Sequence, residues 1–496
     1  MILAGTRDKM RRQTIGRLRS LDYKYLVAIV FITGLFLDIL DATVVNVALP
    51  TLGRDFGAGA TSLQWVVTGY LLSLAVWIPA SGWVGDRFGT KKTFIFAMIL
   101  FTLGSALCGQ AQSTEELITF RLLQGVGGGM MTPVGIAMLF RVFPPEERAA
   151  ASAFVAVPAL LAPVLGPVLG GWLVDGPGWR WIFYLNVPVG ILGALLASVL
   201  LREHKEESPG RFDAFGFVLS GGGLALVLYA LSRAPADGWT SPVVLLTGLL
   251  GLCALAALVL IELRMAEPML DFRLYADRMF RSANLAFFMQ LAGLFGLLFL
   301  LPLYLQNLRG MSAIQSGLTS LPQGIAMGVT LPIASRLYPR LGPRKMLAGG
   351  LTVVALTSAS MVFVGLDTSL WLIRAVMLVR GAGIAFAGVS VQAAAFANVQ
   401  PRSMGRASSL FRTNTQVGGA FGVAILATVL ASRTTAHLSN LGQTAQQHAQ
   451  LLAFHDAFFV AAVLGFVGLA FAFLIRDEDA AATLRQPSRE AVQQPA

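Results

Sequence analysis

The stretch FLDILDATVVNVALP, Phe36–Pro50, sets two carboxylates, Asp38 and Asp41, in a run that carries no other charge from Leu26 to Leu49. An ionised side chain at mid-membrane depth costs at least a few kcal/mol, so an acid retained in a spanning helix is expected to face a cavity or a partner. A spacing of three stacks both acids on one helical face, within roughly 6 Å of each other, with Gly34 and Val45 on the same stripe. In a low-dielectric site two such carboxylates resist ionising together, which suits one of them to take up and release a proton. The plainer reading is that one Asp bonds a neighbouring helix while the other lies near the water interface.

The rest of the chain supplies the membrane setting. Of 496 residues, 55% are hydrophobic and 13% charged, with a mean hydropathy of +0.69, the pattern of an integral membrane protein. Runs able to cross roughly 30 Å of hydrocarbon fall at about 26–49, 62–82, 93–111, 116–140, 149–173, 181–201, 213–232, 241–262, 282–305, 314–336, 346–365, 370–396, 407–431 and 455–475. The expected architecture is all-α with fourteen transmembrane helices. Its parts are a cytoplasmic tail (1–25), a six-helix bundle (26–202), a linker with two extra helices (203–280), a second six-helix bundle (281–476) and a disordered tail (477–496).

Charge placement tests this count, because short loops rich in Lys and Arg stay cytoplasmic. With the N-terminus inside, about 29 of the 37 Lys and Arg fall in cytoplasmic segments, and an odd number of helices breaks that alternation. Both termini are therefore expected in the cytoplasm of a plasma-membrane protein. The net charge of +11 is mostly topology and attraction to the lipid bilayer, and nucleic acid is not an expected partner. The basic N-terminus lacks the organisation of a cleavable signal. Cys108 and Cys253 lie far apart in apolar runs, which suggests neither a disulfide nor a metal site.

The chain also repeats itself. IPASGWVGDRFGTKK from Ile78 and LPIASRLYPRLGPRK from Leu331 share a proline, an arginine, a glycine and a terminal basic pair in register. Pro50 pairs with Pro302, Gln124-Gly125 with Arg380-Gly381, and Arg148 with Arg406, at nearly the same offset. Two parallel six-helix halves around a two-helix insert describe a pseudo-symmetric transporter with a midplane site.

Four stretches carry a resemblance that covers nearly the whole chain: LDATVVNVALP (Leu40–Pro50), GWVGDRFGTKK (Gly82–Lys92), RLLQGVGGGMMTP (Arg121–Pro133) and APVLGPVLGGWL (Ala162–Leu173). In them the sequence resembles the major facilitator superfamily, specifically its fourteen-helix branch of drug:proton antiporters. Arg121 keeps its charge wherever it lies and needs an acid if buried, or it snorkels to the interface. The resemblance implies that it belongs to the proton-coupling set with Asp38 and Asp41. Gly82, Gly85, Asp86, Arg87, Gly89, Lys91 and Lys92 read as a tight inner turn; the resemblance makes it a cytoplasmic latch that closes when the protein faces outward. The second copy has Pro339 in place of the Asp, so the latch is expected to be one-sided. Gly166, Pro167, Gly170 and Gly171 form a face that lets another helix approach closely; by resemblance they are the antiporter signature that seals the two halves.

The second half lacks membrane carboxylates except near helix ends (Asp367, Asp456), while Arg374, Arg380 and Arg412 lie inside. Candidates for the substrate cavity are Gln124, Gln290, Tyr304, Gln306, Gln323, Arg380 and Gln392. The insert reads as peripheral, and Ser432–Ala453 as the longest outer loop. An ATP-driven pump is rejected, since GVGGGMM lacks the Lys-Ser/Thr of a phosphate loop. His204, His437, His448 and His455 lie at loops or helix ends without a clustered nucleophile or metal set, which argues against an enzyme.

The expected function is a monomeric antiporter, driven by the proton gradient without a cofactor, that exports small amphipathic compounds by alternating access. Monovalent, zwitterionic or neutral substrates are expected in preference to divalent cations, because spare acids are missing. The alternative is an exporter dedicated to one lipid or secondary metabolite. The topology is checked by cysteine labelling: a cysteine at Thr435 is expected to react with an impermeant thiol reagent from outside, and one at Ser208 is not. The reverse pattern would remove the fourteen-helix arrangement.

Overall fold

In lipid the backbone must satisfy its own polar groups, and the chain does so with helices; no strand occurs among the described residues. The computed structural model describes residues 22–479, apart from 59, 145–146, 148–150, 152–153, 155–161, 163–164, 167, 175, 208–211, 266–267, 312 and 442–445. The first half holds α1 (Tyr23–Phe56), α2 (Ala60–Phe88), α3 (Thr90–Gln110), α4 (Thr114–Val142) and α5 (Arg180–Leu200), the last built of two pieces that meet at Leu185. The insert holds α6 (Ala214–Asp237) and α7 (Pro242–Glu262). The second half holds α8 (Arg278–Leu303) with a π-helical turn at Tyr304–Leu308, then α9 (Ala313–Ser360), α10 (Leu370–Ala395), α11 (Met404–Leu441) and α12 (Gln446–Ala472).

Twelve helices among the described residues are long and apolar enough to cross a membrane. At about 1.5 Å per residue, the 48 residues of α9 are twice what one crossing needs. α9 breaks at Gly342, whose φ of 79° and ψ of 161° belong to backbone that glycine adopts without strain. It thus covers the two crossings expected at 314–336 and 346–365. The crossing expected at 149–173 falls largely outside the described residues, so the count of fourteen is compatible with this path.

The internal repeat is visible in the packing. A Cβ on Gly125 of α4 would lie 2.7 Å from the Tyr70 carbonyl of α2, and one on Gly381 of α10 would lie 2.2 Å from the Gln323 carbonyl of α9. Two residues further on, Gly127 packs equally closely on α3 at Phe101, and Gly383 on the second part of α9 at Gly350. Small residues let these backbones touch in each half in the same register.

Two expectations are corrected. The insert is not wholly peripheral: α6 lies against both halves. It meets α2 through Trp77–Phe217 (5.3 Å between ring centroids) and Trp65–Tyr229 (5.8 Å), and it meets α11 through a cluster of Leu224, Leu228 and Leu231 with Ala424. Trp239, just past α6, donates from Nε1 to Thr428 Oγ1 of α11 at 2.8 Å. The leucine-rich face of α6 is thus covered at the seam of the halves. α7 is the peripheral member, with Leu245, Leu246, Leu249, Leu252 and Leu260 more than half exposed toward lipid. The supposed loop Ser432–Ala453 is mostly helical, because α11 runs on to Leu441 and α12 begins at Gln446; polar residues there extend the helices past the bilayer instead of ending them. Of the tail, residues 480–496 lie outside the described residues, while Asp477 Oδ1 accepts from the Arg344 amide at 2.9 Å beside the Gly342 break.

At the end of the bundle that carries the described termini, the halves are shut against each other. Phe140 of α4 stacks on Phe396 after α10 at 4.4 Å, and the Ser81 and Ser409 hydroxyls lie 3.2 Å apart. A Cβ on Gly82 would sit 2.9 Å from the Gly405 carbonyl of α11. Gly82→Val is therefore expected to force α2 and α11 apart here: a cysteine at Ser409, unreactive in the parent, should become labelled by a small thiol reagent. Unchanged labelling would show that the contact does not hold this end closed.

Candidate functional site

The acids of α1 sit about 22 Å and 27 Å along a helix that rises 1.5 Å per residue, and both are 1% exposed. Their surroundings differ. Asp41 Oδ2 accepts from Arg121 Nη1 in a short contact; its Oδ1 accepts from Gln124 Nε2 at 3.0 Å and Asn186 Nδ2 at 2.8 Å. Arg121 also donates from Nε to the Val66 carbonyl (3.1 Å) and from Nη1 to Gln124 Oε1 (2.8 Å). Arg121 is fully buried and so does not snorkel. A buried charge pair is tolerable where most of its donors and acceptors are bonded; here α1, α4, α2 and α5 each supply a partner, and Nη2 of Arg121 is left without one.

Tyr70 of α2 connects this cage to the second acid. The Arg121 guanidinium lies 4.0 Å from the centre of the Tyr70 ring, a cation–π distance, and the Tyr70 hydroxyl donates to Asp38 Oδ1 at 2.5 Å. Gly128 makes room for that bond: a Cβ there would come within 2.8 Å of the Tyr70 hydroxyl and 3.0 Å of Asp38 Oδ1. Asp38 Oδ2 accepts from Thr132 Oγ1 of α4 at 2.9 Å and from Arg412 Nη2 of α11 at 2.9 Å. The last bond crosses from one half to the other.

Asp38 and Arg412 stand on the wall of a cavity of about 390 Å³, a volume suited to a drug-sized molecule. Its walls come from α1, α2, α4, α6, α8, α10 and α11. They are mainly apolar (Leu35, Leu71, Leu231, Phe287, Leu294, Phe411), with a few polar groups such as Thr68, Ser232 and Gln416. No other charged residue lines it among the described residues.

Of the seven residues expected in this cavity, Gln290 and Gln392 line it. Gln124 belongs to the Asp41 cage. Tyr304 donates its hydroxyl to the Gly365 carbonyl at 2.7 Å, within an apolar cluster near the outer ends of α8 and α12. Gln306 is exposed on the π-helical turn, and Gln323 is buried where α9 meets Gly381. Arg380 is fully buried but donates to Ser358 Oγ (2.6 Å) and the Gly293 carbonyl (3.0 Å), off the cavity. Polarity alone did not tell which face of each helix turns to the centre.

The other motifs also find places. Asp86 is buried at the shut end, 3.7 Å from Arg141 of α4, with its carboxylate against Gly405 at the start of α11; Arg87 is exposed. The Gly89 turn is held from outside itself: Lys91 N donates to Glu203 Oε1 at 3.0 Å, Lys91 Nζ to the Ser198 carbonyl at 2.7 Å, and Thr90 N to the His204 carbonyl at 2.9 Å. Gly85 packs on Val134, while Lys92 is exposed. Gly166 presses on Thr43 of α1, which lines the cavity, and a Cβ on Gly317 of the second half would lie 3.6 Å from Val168. Gly171 faces open space, Gly170 is buried, and Pro167 lies outside the described residues.

Four partners were missed in the sequence: Tyr70, Thr132 and Asn186 altogether, and Arg412 as the partner of Asp38. Asn186 had a signal, being the one amide in the run 181–201. Tyr70 had none, since an aromatic in a spanning helix is ordinary packing.

Residues 31–423 match the family model described as Major Facilitator Superfamily. The chain belongs to that superfamily. It is thus a multi-pass membrane transporter of the major facilitator type. A Mycobacterium tuberculosis (strain ATCC 25618 / H37Rv) protein named multidrug resistance protein B homolog is 36% identical over 432 residues, covering 86% of this chain and 78% of the relative. The Bacillus subtilis (strain 168) multidrug transporter protein MdtP is 32% identical over 404 residues, covering 81% and 74%. The crystal structure of the human organic anion transporter MFSD10 (TETRAN) superposes with a TM-score of 0.61 over 90% of this chain and all of that one; at 17% identity this speaks for the fold alone.

Removing one partner of a buried ion pair costs about 3–5 kcal/mol, whereas replacing both can be nearly neutral. Arg121→Met is therefore expected to lower thermal stability in detergent strongly, and the double variant Arg121→Met, Asp41→Leu to recover much of the loss. Additive losses would show that the pair is not the reason Arg121 is retained.

Proposed function

We propose that this facilitator is a proton-coupled antiporter that exports small amphipathic compounds across the plasma membrane, with both termini in the cytoplasm and a single chain sufficient for transport. Asp38 carries the reading: its carboxylate lies on the cavity wall and leads through Tyr70 to the Arg121–Asp41 pair. A proton site that forms part of the substrate site is the arrangement exchange requires, since each ligand then changes the affinity for the other.

In this scheme the substrate enters while the cytoplasmic end is open and rests against the apolar walls. Closure brings α2 onto α11 at Gly82 and Gly405, with Asp86 facing the start of α11 as latch. Uptake of a proton at Asp38 removes the charge that holds Arg412, loosening the link between halves and favouring release outside. Asp41, enclosed with Arg121, Gln124 and Asn186, is the fixed member of the proton-coupling set, and Tyr70 relays the state of one acid to the other. The multidrug names of the relatives support a broad amphipathic substrate range.

In inside-out vesicles, Asp41→Asn should abolish substrate uptake driven by a pH gradient with the protein still in the membrane. Asp38→Asn should do the same. Uptake that survives in both variants would remove the proton-coupling assignment.

A further inference from the structure

Among the described residues the cavity holds one acid and one base, and they are bonded to each other across the halves. The Arg412 side chain is 17% exposed and its Nε has no hydrogen-bond partner, so this guanidinium is held chiefly by Asp38. The charged and titratable groups around Asp38 are Arg412 from α11, Tyr70 from α2, Asp41 on α1 itself and Arg121 from α4. Arg121 and Asp41 neutralise each other, and Tyr70 donates as a neutral hydroxyl. Among the described residues, the charge presented to a substrate is therefore set by Asp38 and Arg412.

We propose that Arg412 is a tethered counter-ion that offsets the charge range of the substrate by one: the cavity is neutral when Asp38 is ionised and carries +1 when Asp38 is protonated. This rests on the antiport reading above and adds a substrate class to it. Neutral and zwitterionic amphipaths bind the ionised state on its apolar walls. A monovalent cation binds it by competing with Arg412 for Asp38, and proton uptake then drives that cation out, because the freed guanidinium repels it. A divalent cation finds a second positive charge in its path and no second acid, since Asp41 is closed off. A monovalent anion is favoured only in the protonated state, the wrong sense for exchange.

Tetraphenylphosphonium and tetraphenylborate test this directly, being nearly identical in size and shape and opposite in charge. Their binding is measured on the purified full-length protein in nanodiscs across pH, with partition into empty nanodiscs subtracted. In the parent, acidification should weaken tetraphenylphosphonium binding and tighten tetraphenylborate binding by on the order of tenfold, the scale of one unit charge at several ångströms in a partly screened site. In Arg412→Gln the cavity carries −1 with Asp38 ionised and is neutral with it protonated, so tetraphenylphosphonium should bind tighter by a similar factor, the bis-cation dequalinium should become a ligand, and tetraphenylborate in acid should bind weaker than in the parent by a similar factor. In Asp38→Asn, tetraphenylborate should bind at neutral pH as the parent binds it in acid, with no further pH response.

Tetraphenylborate binding in the parent that ignores pH, or that in acid is as tight in Arg412→Gln as in the parent, would overturn the proposal. If Arg412→Gln does not fold, Asp38→Asn decides: tetraphenylborate affinity at neutral pH no better than in the parent would also overturn it. None of these readings uses a proton gradient. Loss of gradient-driven transport with the charge effects intact counts against antiport, and transport without the charge effects counts against Arg412.

Discussion

The arrangement of the first half depends on a buried cation that cannot give up its charge. Arg121 lies where water does not reach, so the chain must bring it an anion and acceptors. Asp41, Gln124 and the Val66 carbonyl do so from α1, α4 and α2, while α5 adds Asn186 to the same carboxylate. Breaking such a pair costs far more than a surface ion pair is worth. These helices are thereby fixed in register as well as packed. The face of Tyr70 lies against the same guanidinium, and its hydroxyl then fixes the position of Asp38. One unavoidable charge thus places both acids.

The two acids, alike in sequence, end in different chemistry because the helices facing them differ. Asp41 faces α4 and α5 inside one half. Asp38, one turn nearer the start of α1, faces the gap between halves, where Thr132 and Arg412 meet it. Their spacing of three suggested a mutually repelling pair. Separate cages relieve that repulsion, each carboxylate holding its own arginine.

Much of this was legible in the chain. Two acids and an arginine in apolar runs are costly, and the cost announces a partner, so Asp38, Asp41 and Arg121 could be named without coordinates. The pairing of Gln124-Gly125 with Arg380-Gly381 likewise forecast the shared packing register of the halves. What could not be read was the facing of helices whose polar residues are amides and hydroxyls, since these serve equally as packing, caging or lining groups. Gln124 and Arg380 were assigned to the cavity on polarity and proved to bond within their own halves. The insert misled for a related reason: an apolar helix gives no sign in its sequence whether lipid or protein will cover it, and α6 and α7 divide between the two.

The place of α6 bears on how such a protein can change over time. Leu228, Leu231, Ser232 and Pro235 give the cavity a wall that belongs to neither repeat. The two halves are constrained by their mutual register and by the chain of bonds from Asp41 to Arg412, and substitutions among them disturb energy coupling. The α6 wall makes no hydrogen bond to that chain. Selection can therefore reshape what the cavity accepts on one side of it while the machinery that harnesses the gradient stays untouched, a separation of recognition from power that two fused repeats alone do not provide.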